Sequence, residues 1–266
     1  PWSNFLTVYS GERDESFDGE PRIQLNQRDL GKLHLELGTM FEPAWANFIV
    51  AYRQFGAYKG RGRGPEVEAA NLTIDLAQPG KVRLRSALDL IGVRVGVPDA
   101  DESKPKTVVQ SPFTADPALM REYLPKLLDR VTIGRGNPIF GRVNVNSAPR
   151  EVLLGVPELD QPLVERILAA RTMVQRDDPA RLHAAWLLAE QIVSLSTMRR
   201  LERYLTVGGD VGSAQVIGYF DLRSPIMRFE TVTDATEIPA QQVYYKDLRR
   251  LGRGSLEDVM NITNTP

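Results

Sequence analysis

The sequence predicts an α+β protein: a mainly helical domain holding two copies of a helical hairpin, with a small antiparallel sheet following it. Three observations predict this. Apolar residues recur at helical spacing, behind capping residues, through most of residues 1–204. The segments 22–53 and 142–171 align with one another. From residue 205 the composition turns to Val, Ile, Tyr and Phe in short alternating runs between turn signals. The expected domains are therefore 1–204, with an insert at 59–137 between the hairpins, then strands over 205–252, then a loose tail over 253–266.

Phe5, Leu6, Val8 and Tyr9 form a short apolar run, and the acidic loop after it closes on the turn dipeptide Asp18-Gly19. Ile23 and Leu25 read as a brief strand. Asn26 is the expected N-cap of a helix through Leu30, Leu33 and Leu37, with Asp29 three residues on. A second helix starts at Pro43 and ends near Gly56, since Pro suits a first turn and Gly a helix exit. The stretch KGRGRGPE (59–66) is a loop. Its glycines lack the following Lys-Ser/Thr, and the dinucleotide-fold spacing, that a phosphate cradle needs. Residues 72–97 read as short strands around a small helix at 86–91, and PDADESKPK (98–106) as a polar loop without an apolar frame to shift its carboxylates. Asp116, ahead of Pro117, caps a helix carrying Leu119, Met120, Tyr123, Leu127 and Leu128. Asn146 caps the helix of the second hairpin. Asp178, ahead of Pro179, caps a helix carrying Trp186, Leu187 and Leu188, and Ser196 starts one that runs through Leu201 to Tyr204. Strands follow at 213–221, 228–234 and 241–247.

In the paired segments Arg22, Asn26 and Leu33 match Arg142, Asn146 and Leu153. After a two-residue length difference, Ile49, Ala51 and Arg53 match Ile167, Ala169 and Arg171. Each copy reads as a short strand, an Asn cap, a helix, a turn and a second helix whose apolar stripe ends in Arg. Such a unit could grip nucleic acid through a Gly-rich turn, whose bare N–H groups approach phosphate at a helix N-terminus. Here the turn is VPELDQPL (156–163), with Glu158 and Asp160 where the glycines would stand. Two carboxylates there would repel a phosphate by about 1 kcal/mol each even in water. In the first copy LGTMFEPAW (37–45) keeps only Gly38 and puts Glu42 near the helix start. The acids serve their own helix dipoles, and the hairpins read as packing units. A helix-hairpin-helix nucleic-acid-binding protein is the alternative reading, and no nucleic acid is expected as a partner.

Composition removes other function classes. Lys plus Arg (33) nearly cancels Asp plus Glu (34), so no global field recruits nucleic acid or membrane. There is no cysteine, hence no disulfide, thiol nucleophile or Cys-based zinc site. His34 and His183 each stand alone without a second metal ligand at suitable spacing. Hydrolase, metalloprotease and nucleotide-binding motifs are absent. Asp210, Asp221 and Asp234 fall in or near the expected sheet, but without calcium-loop spacing. The expectation is no catalytic residue, no bound metal, no cofactor and no enzyme activity.

FLTVYSGERDESFDGEPRIQLN, RVNVNSAPREVLLGVPELDQPLVERILAAR, AAWLLAEQIV, YLTVGGDVGSAQVIGYFD and RFETVTDAT, in that order, resemble the general secretion pathway protein K family. These are the large minor pseudopilins of bacterial type II secretion systems. The resemblance spans about residues 1–250 and rests on the combination of motifs. It implies a pilin-like sheet carrying an inserted helical domain of two helix-hairpin-helix or SAM-like units. It implies a protein at the pseudopilus tip that initiates fibre assembly with the I- and J-type minor pseudopilins, contacts secreted substrates and aids protein export. Family members carry an N-terminal hydrophobic helix. The chain, opening on Pro1-Trp2-Ser3, is read as the periplasmic portion of an inner-membrane-anchored protein, touching membrane only through that missing helix. Some members bind calcium and carry a disulfide in the sheet. This chain has no cysteine; the resemblance leaves calcium open as a ligand, with no residue of this chain assigned to it.

Overall fold

The computed structural model describes residues 7–60, 66–98, 107–134, 136, 138–172, 178–218 and 227–251. In chain order the elements begin with β1 (Ile23–Gln24), α1 (Leu30–Met40), α2 (Pro43–Phe55), β2 (Glu66–Val67), β3 (Arg94–Val97) and β4 (Thr107–Gln110). Next come α3 (Pro117–Arg130), β5 (Val131–Thr132), β6 (Val143–Asn144), α4 (Arg150–Leu154) and α5 (Gln161–Thr172). The last are α6 (Trp186–Ala189), α7 (Leu195–Leu201), β7 (Leu205–Thr206), β8 (Val211–Gly218), β9 (Met227–Asp234) and β10 (Gln241–Asp247). The class is α+β, with several small sheets.

The chain divides into two compact units. A core unit comprises Asp14–Gly136 and Gln175–Arg203, and a sheet unit comprises Pro1–Arg13, Asn137–Val174 and Tyr204–Pro266. This differs from the expected split at 204/205, because the second hairpin groups with the strands and not with the first hairpin. Short strands explain the difference: β6 pairs in parallel with β7, from beyond the expected boundary. The tail at 253–266 lies outside the described residues.

In the core unit α1 starts where Asp29 accepts from the Lys32 N–H (2.9 Å). It buries Leu30, Leu33 and Leu37, and α2 buries Ala46, Phe48, Ile49 and Val50. Full burial of each such large apolar side chain is worth about 1.5–3 kcal/mol. α2 ends on Gly56, whose φ of 72° a side chain would strain. Trp45 stands among Phe41, Phe113 and Tyr123, with ring centroids 5.0, 4.9 and 6.3 Å away. The Tyr123 hydroxyl donates to the Thr114 carbonyl (2.7 Å), and burial pushes its pKa up.

Asp116 caps α3, accepting from the N–H groups of Ala118 (2.8 Å) and Leu119 (3.4 Å). β2 joins β4 in parallel and β3 joins it antiparallel, so the expected insert contains a three-stranded sheet. No strand forms within 72–85; the small helix expected at 86–91 is a 3₁₀ turn, Ala87–Leu90. The expected helix from Asp178 is likewise two pieces, a 3₁₀ turn at Pro179–Arg181 and α6. Asp178 caps the first through the Ala180 N–H (2.9 Å). Buried Trp186 lies 4.1 Å from the Arg181 guanidinium carbon, and that guanidinium also grips Glu190 (2.8 Å). Ser194, not Ser196, caps α7.

In the sheet unit β8, β9 and β10 form one antiparallel sheet in the order β10-β9-β8. Its strands are close to those expected, starting two residues earlier for β8 and one for β9. Val232 is the residue buried most deeply in it. Tyr244 packs on Tyr9 with centroids 5.8 Å apart, and Tyr245 on Phe229 at 5.3 Å. A bulge interrupts β10 between Gln242 and Tyr244.

Candidate functional site

The α4–α5 turn is where a phosphate-binding loop would sit. Glu158 there has a φ of 73°, the left-handed conformation that glycine adopts without cost. Asp160 accepts from the Leu163 N–H through its side chain and from the Val164 N–H through its carbonyl, both at 3.0 Å. The Leu163 N–H is a donor that an anion at the start of α5 would need, while the Val164 bond is the first of the helix's own ladder. In the core unit Glu42 occupies the N-cap position of α2 without a capping side-chain bond, so its contribution is its charge beside the helix start. A surface pair, Arg150 to Glu165 (2.7 Å), joins α4 to α5.

The two asparagines predicted as caps do other work. Asn26 lies three residues before the cap position. Its amide grips the backbone of Leu84, accepting from the N–H (2.9 Å) and donating to the carbonyl (3.0 Å). For α4 the cap position is Pro149, which has no N–H. Proline disfavours helical backbone at the residue before it, so the helix cannot start directly after Asn146. The backbone N–H of Asn146 is instead accepted by the Asn144 side chain (2.9 Å), as that of Asn26 is by Gln24 (2.9 Å). Asp116 and Asp178 are caps, as predicted.

Sequence reasoning missed what surrounds the two strands. β1 pairs in parallel with β5, and Leu25 donates on to the Thr132 carbonyl (2.9 Å); β6 pairs in parallel with β7, and Val145 donates to the Thr206 carbonyl (2.8 Å). Arg53 donates from its guanidinium to the carbonyls of Leu25, Gln27 (3.1 Å) and Val82 (2.6 Å). Arg171 donates to those of Val145 and Ala148 (2.7 Å). Burial lowers the pKa of both, with the Arg83 charge adding at Arg53. Gly80 makes room for the first, since a Cβ there would stand 2.6 Å from Arg53 Nη2. Each strand's leading arginine also meets an acid that holds a threonine. Asp14 takes Arg22 (3.3 Å) and the Thr132 hydroxyl (2.7 Å), and Glu12 takes Arg142 and the Thr206 hydroxyl (2.5 Å). The recurring phrases VTIG (131–134) and LTVG (205–208) were the available signal.

No group of His, Cys, Asp and Glu fit to hold a metal ion occurs among the described residues. Asp210 accepts from the Arg13 N–H (2.7 Å). Asp234 accepts from Thr236 N–H (2.9 Å) and Oγ1 (2.6 Å), bonds that lower its pKa; Asp221 lies outside the described residues. His34 meets Asn47 (2.8 Å), and His183 lies 4.0 Å from Asp129. Among the described residues no helix is long and apolar enough to cross a membrane. No protein-family model, curated protein or solved structure matches the chain.

Proposed function

We propose that the chain is the periplasmic part of a K-type minor pseudopilin, which acts at the tip of a type II secretion pseudopilus. It initiates the fibre together with the I- and J-type pseudopilins, aids protein export and catalyses nothing. The observation that carries this reading is the order of the motifs: a hairpin, a second hairpin after an insert, then strands with the Gly-Tyr-Phe run at 218–220. In support, the hairpins are built with matching bonds, and an antiparallel three-stranded sheet follows the second. On this reading the two hairpins are helix-hairpin-helix or SAM-like repeats and β8-β9-β10 is the pilin-like sheet. The left-handed Glu158 and the capping Asp160 weigh against the nucleic-acid alternative, since both occupy the turn that would meet phosphate.

The test is mixing with the I- and J-type pseudopilin soluble domains from the same gene cluster, followed by light scattering. A stoichiometric complex is expected; no association with either would overturn the reading. The encoded sequence ahead of Pro1 gives a second check. A Gly followed by about 20 apolar residues is expected there. Duplex DNA binding that weakens steeply with salt, and is lost on replacing Arg142, Arg150 and Arg171 together, would favour the alternative.

A further inference from the structure

In the sheet unit a cavity of about 290 Å³ is bounded by residues 7–12, β6, β7 and the Gly208-Gly209 turn. Glu12 lies in its wall with both carboxylate oxygens engaged, one by Arg142 Nε and the other by the Thr206 hydroxyl (2.5 Å). The Arg142 side chain is 19% exposed, yet its two terminal nitrogens have no partner among the described residues. A guanidinium held this way offers a planar fork of donors whose direction is fixed by its other nitrogen. Two further donors line the same cavity. Ser10 Oγ accepts from the Gly141 N–H (2.7 Å), which leaves its own proton to give, and the Gly209 N–H has no partner among the described residues.

We propose that this cavity binds a carboxylate, seated on the two terminal nitrogens of Arg142 and met by Ser10 and the Gly209 N–H. The fork matches two carboxylate oxygens in one plane. Glu12 cancels the Arg142 charge, so the site is near neutral and disfavours a dianionic phosphate. The volume corresponds to about ten water molecules at roughly 30 Å³ each, enough for a carboxylate and the residue that bears it. A peptide C-terminus and an acidic side chain both present this chemistry.

The experiment titrates the whole isotope-labelled chain with three probes, reading the amide resonances of Gly208 and Gly209. Acetyl-dialanine with a free C-terminus tests the first source, acetyl-glutamate methylamide the second, and inorganic phosphate serves as the contrast. Saturable shifts with at least one carboxylate are expected, and the arm that saturates first identifies the source. Arg142→Gln should weaken binding roughly tenfold and Ser10→Ala roughly threefold, as losing a charge-assisted and a neutral hydrogen bond would. Phosphate binding tighter than both carboxylates would overturn the proposal, as would no saturable shift with either. Unchanged affinity in Arg142→Gln would also overturn it. If that variant does not fold, unchanged affinity in Ser10→Ala decides against it in the same way.

Discussion

The α1–α2 hairpin of the core unit and the α4–α5 hairpin of the sheet unit share a frame and differ in its filling. In each, a two-residue strand pairs in parallel with a later strand, and an arginine in the last turn of the second helix donates to the residue after the strand. Helix length and turn are free to vary. α1 has 11 residues and α4 only 5, and the α1–α2 link is two residues where the α4–α5 link runs over 155–160. The difference teaches that backbone carbonyls left open by a short strand, and not helix length, are what each hairpin must satisfy. Arg53, at 2% exposure, satisfies two carbonyls just after β1 and a third at Val82, whereas half-buried Arg171 satisfies two after β6.

The comparison is most exposed at these arginines. Arg53→Met should lower the unfolding free energy by about 3–4 kcal/mol, because three carbonyls lose their donor in a buried setting. Arg171→Met should cost about 1–2 kcal/mol, as water can reach part of that site. Equal losses in denaturant melts of the two variants would show that burial does not separate the hairpins.

A smaller effect distinguishes the turns. Asp160→Ala should destabilise by about 1 kcal/mol through loss of the cap. Glu42→Ala, which removes no capping bond, should stay within about 0.5 kcal/mol; a loss matching that of Asp160→Ala would mean the charge alone carries the effect. The smallest change has the opposite sign. Glu158→Gly should stabilise by roughly 0.5–1 kcal/mol by releasing left-handed strain, read as a raised melting midpoint. A lowered midpoint would mean that the glutamate side chain compensates its backbone.

Local chemistry was legible in the sequence and distant pairing was not. Pro43 and Gly56 bound α2, and Asp116 and Asp178 cap, because each acts within a turn of itself. β10 matches its expected span because alternation is also local. Asn26 was misread since an Asx side chain suits a helix start and a loop clamp equally, and only the position of Leu84 decides between them. For Asn146 the proline three residues on was the overlooked cue. The frame itself depends on Thr132 and Thr206 arriving from far along the chain, and nothing in a two-residue strand announces its partner. The repeated arginines, with the recurring phrases VTIG and LTVG far downstream of each copy, were the hints that both copies meet the same demand.

The packing of half-buried Trp45 among aromatic rings and the burial of Trp186 beneath a guanidinium have an optical consequence. Of the three indoles, the two described ones, Trp45 and Trp186, belong to the core unit, and Trp2 lies outside the described residues. In a Trp2→Phe variant, light absorbed by indole therefore reports on the core unit alone, and its emission reddens as that unit opens. The same variant reports the sheet unit through carbon-bound protons of Tyr9 and Tyr244, whose ring pairing shifts their resonances. Two colours of measurement on one molecule would tell whether its halves melt together or in turn.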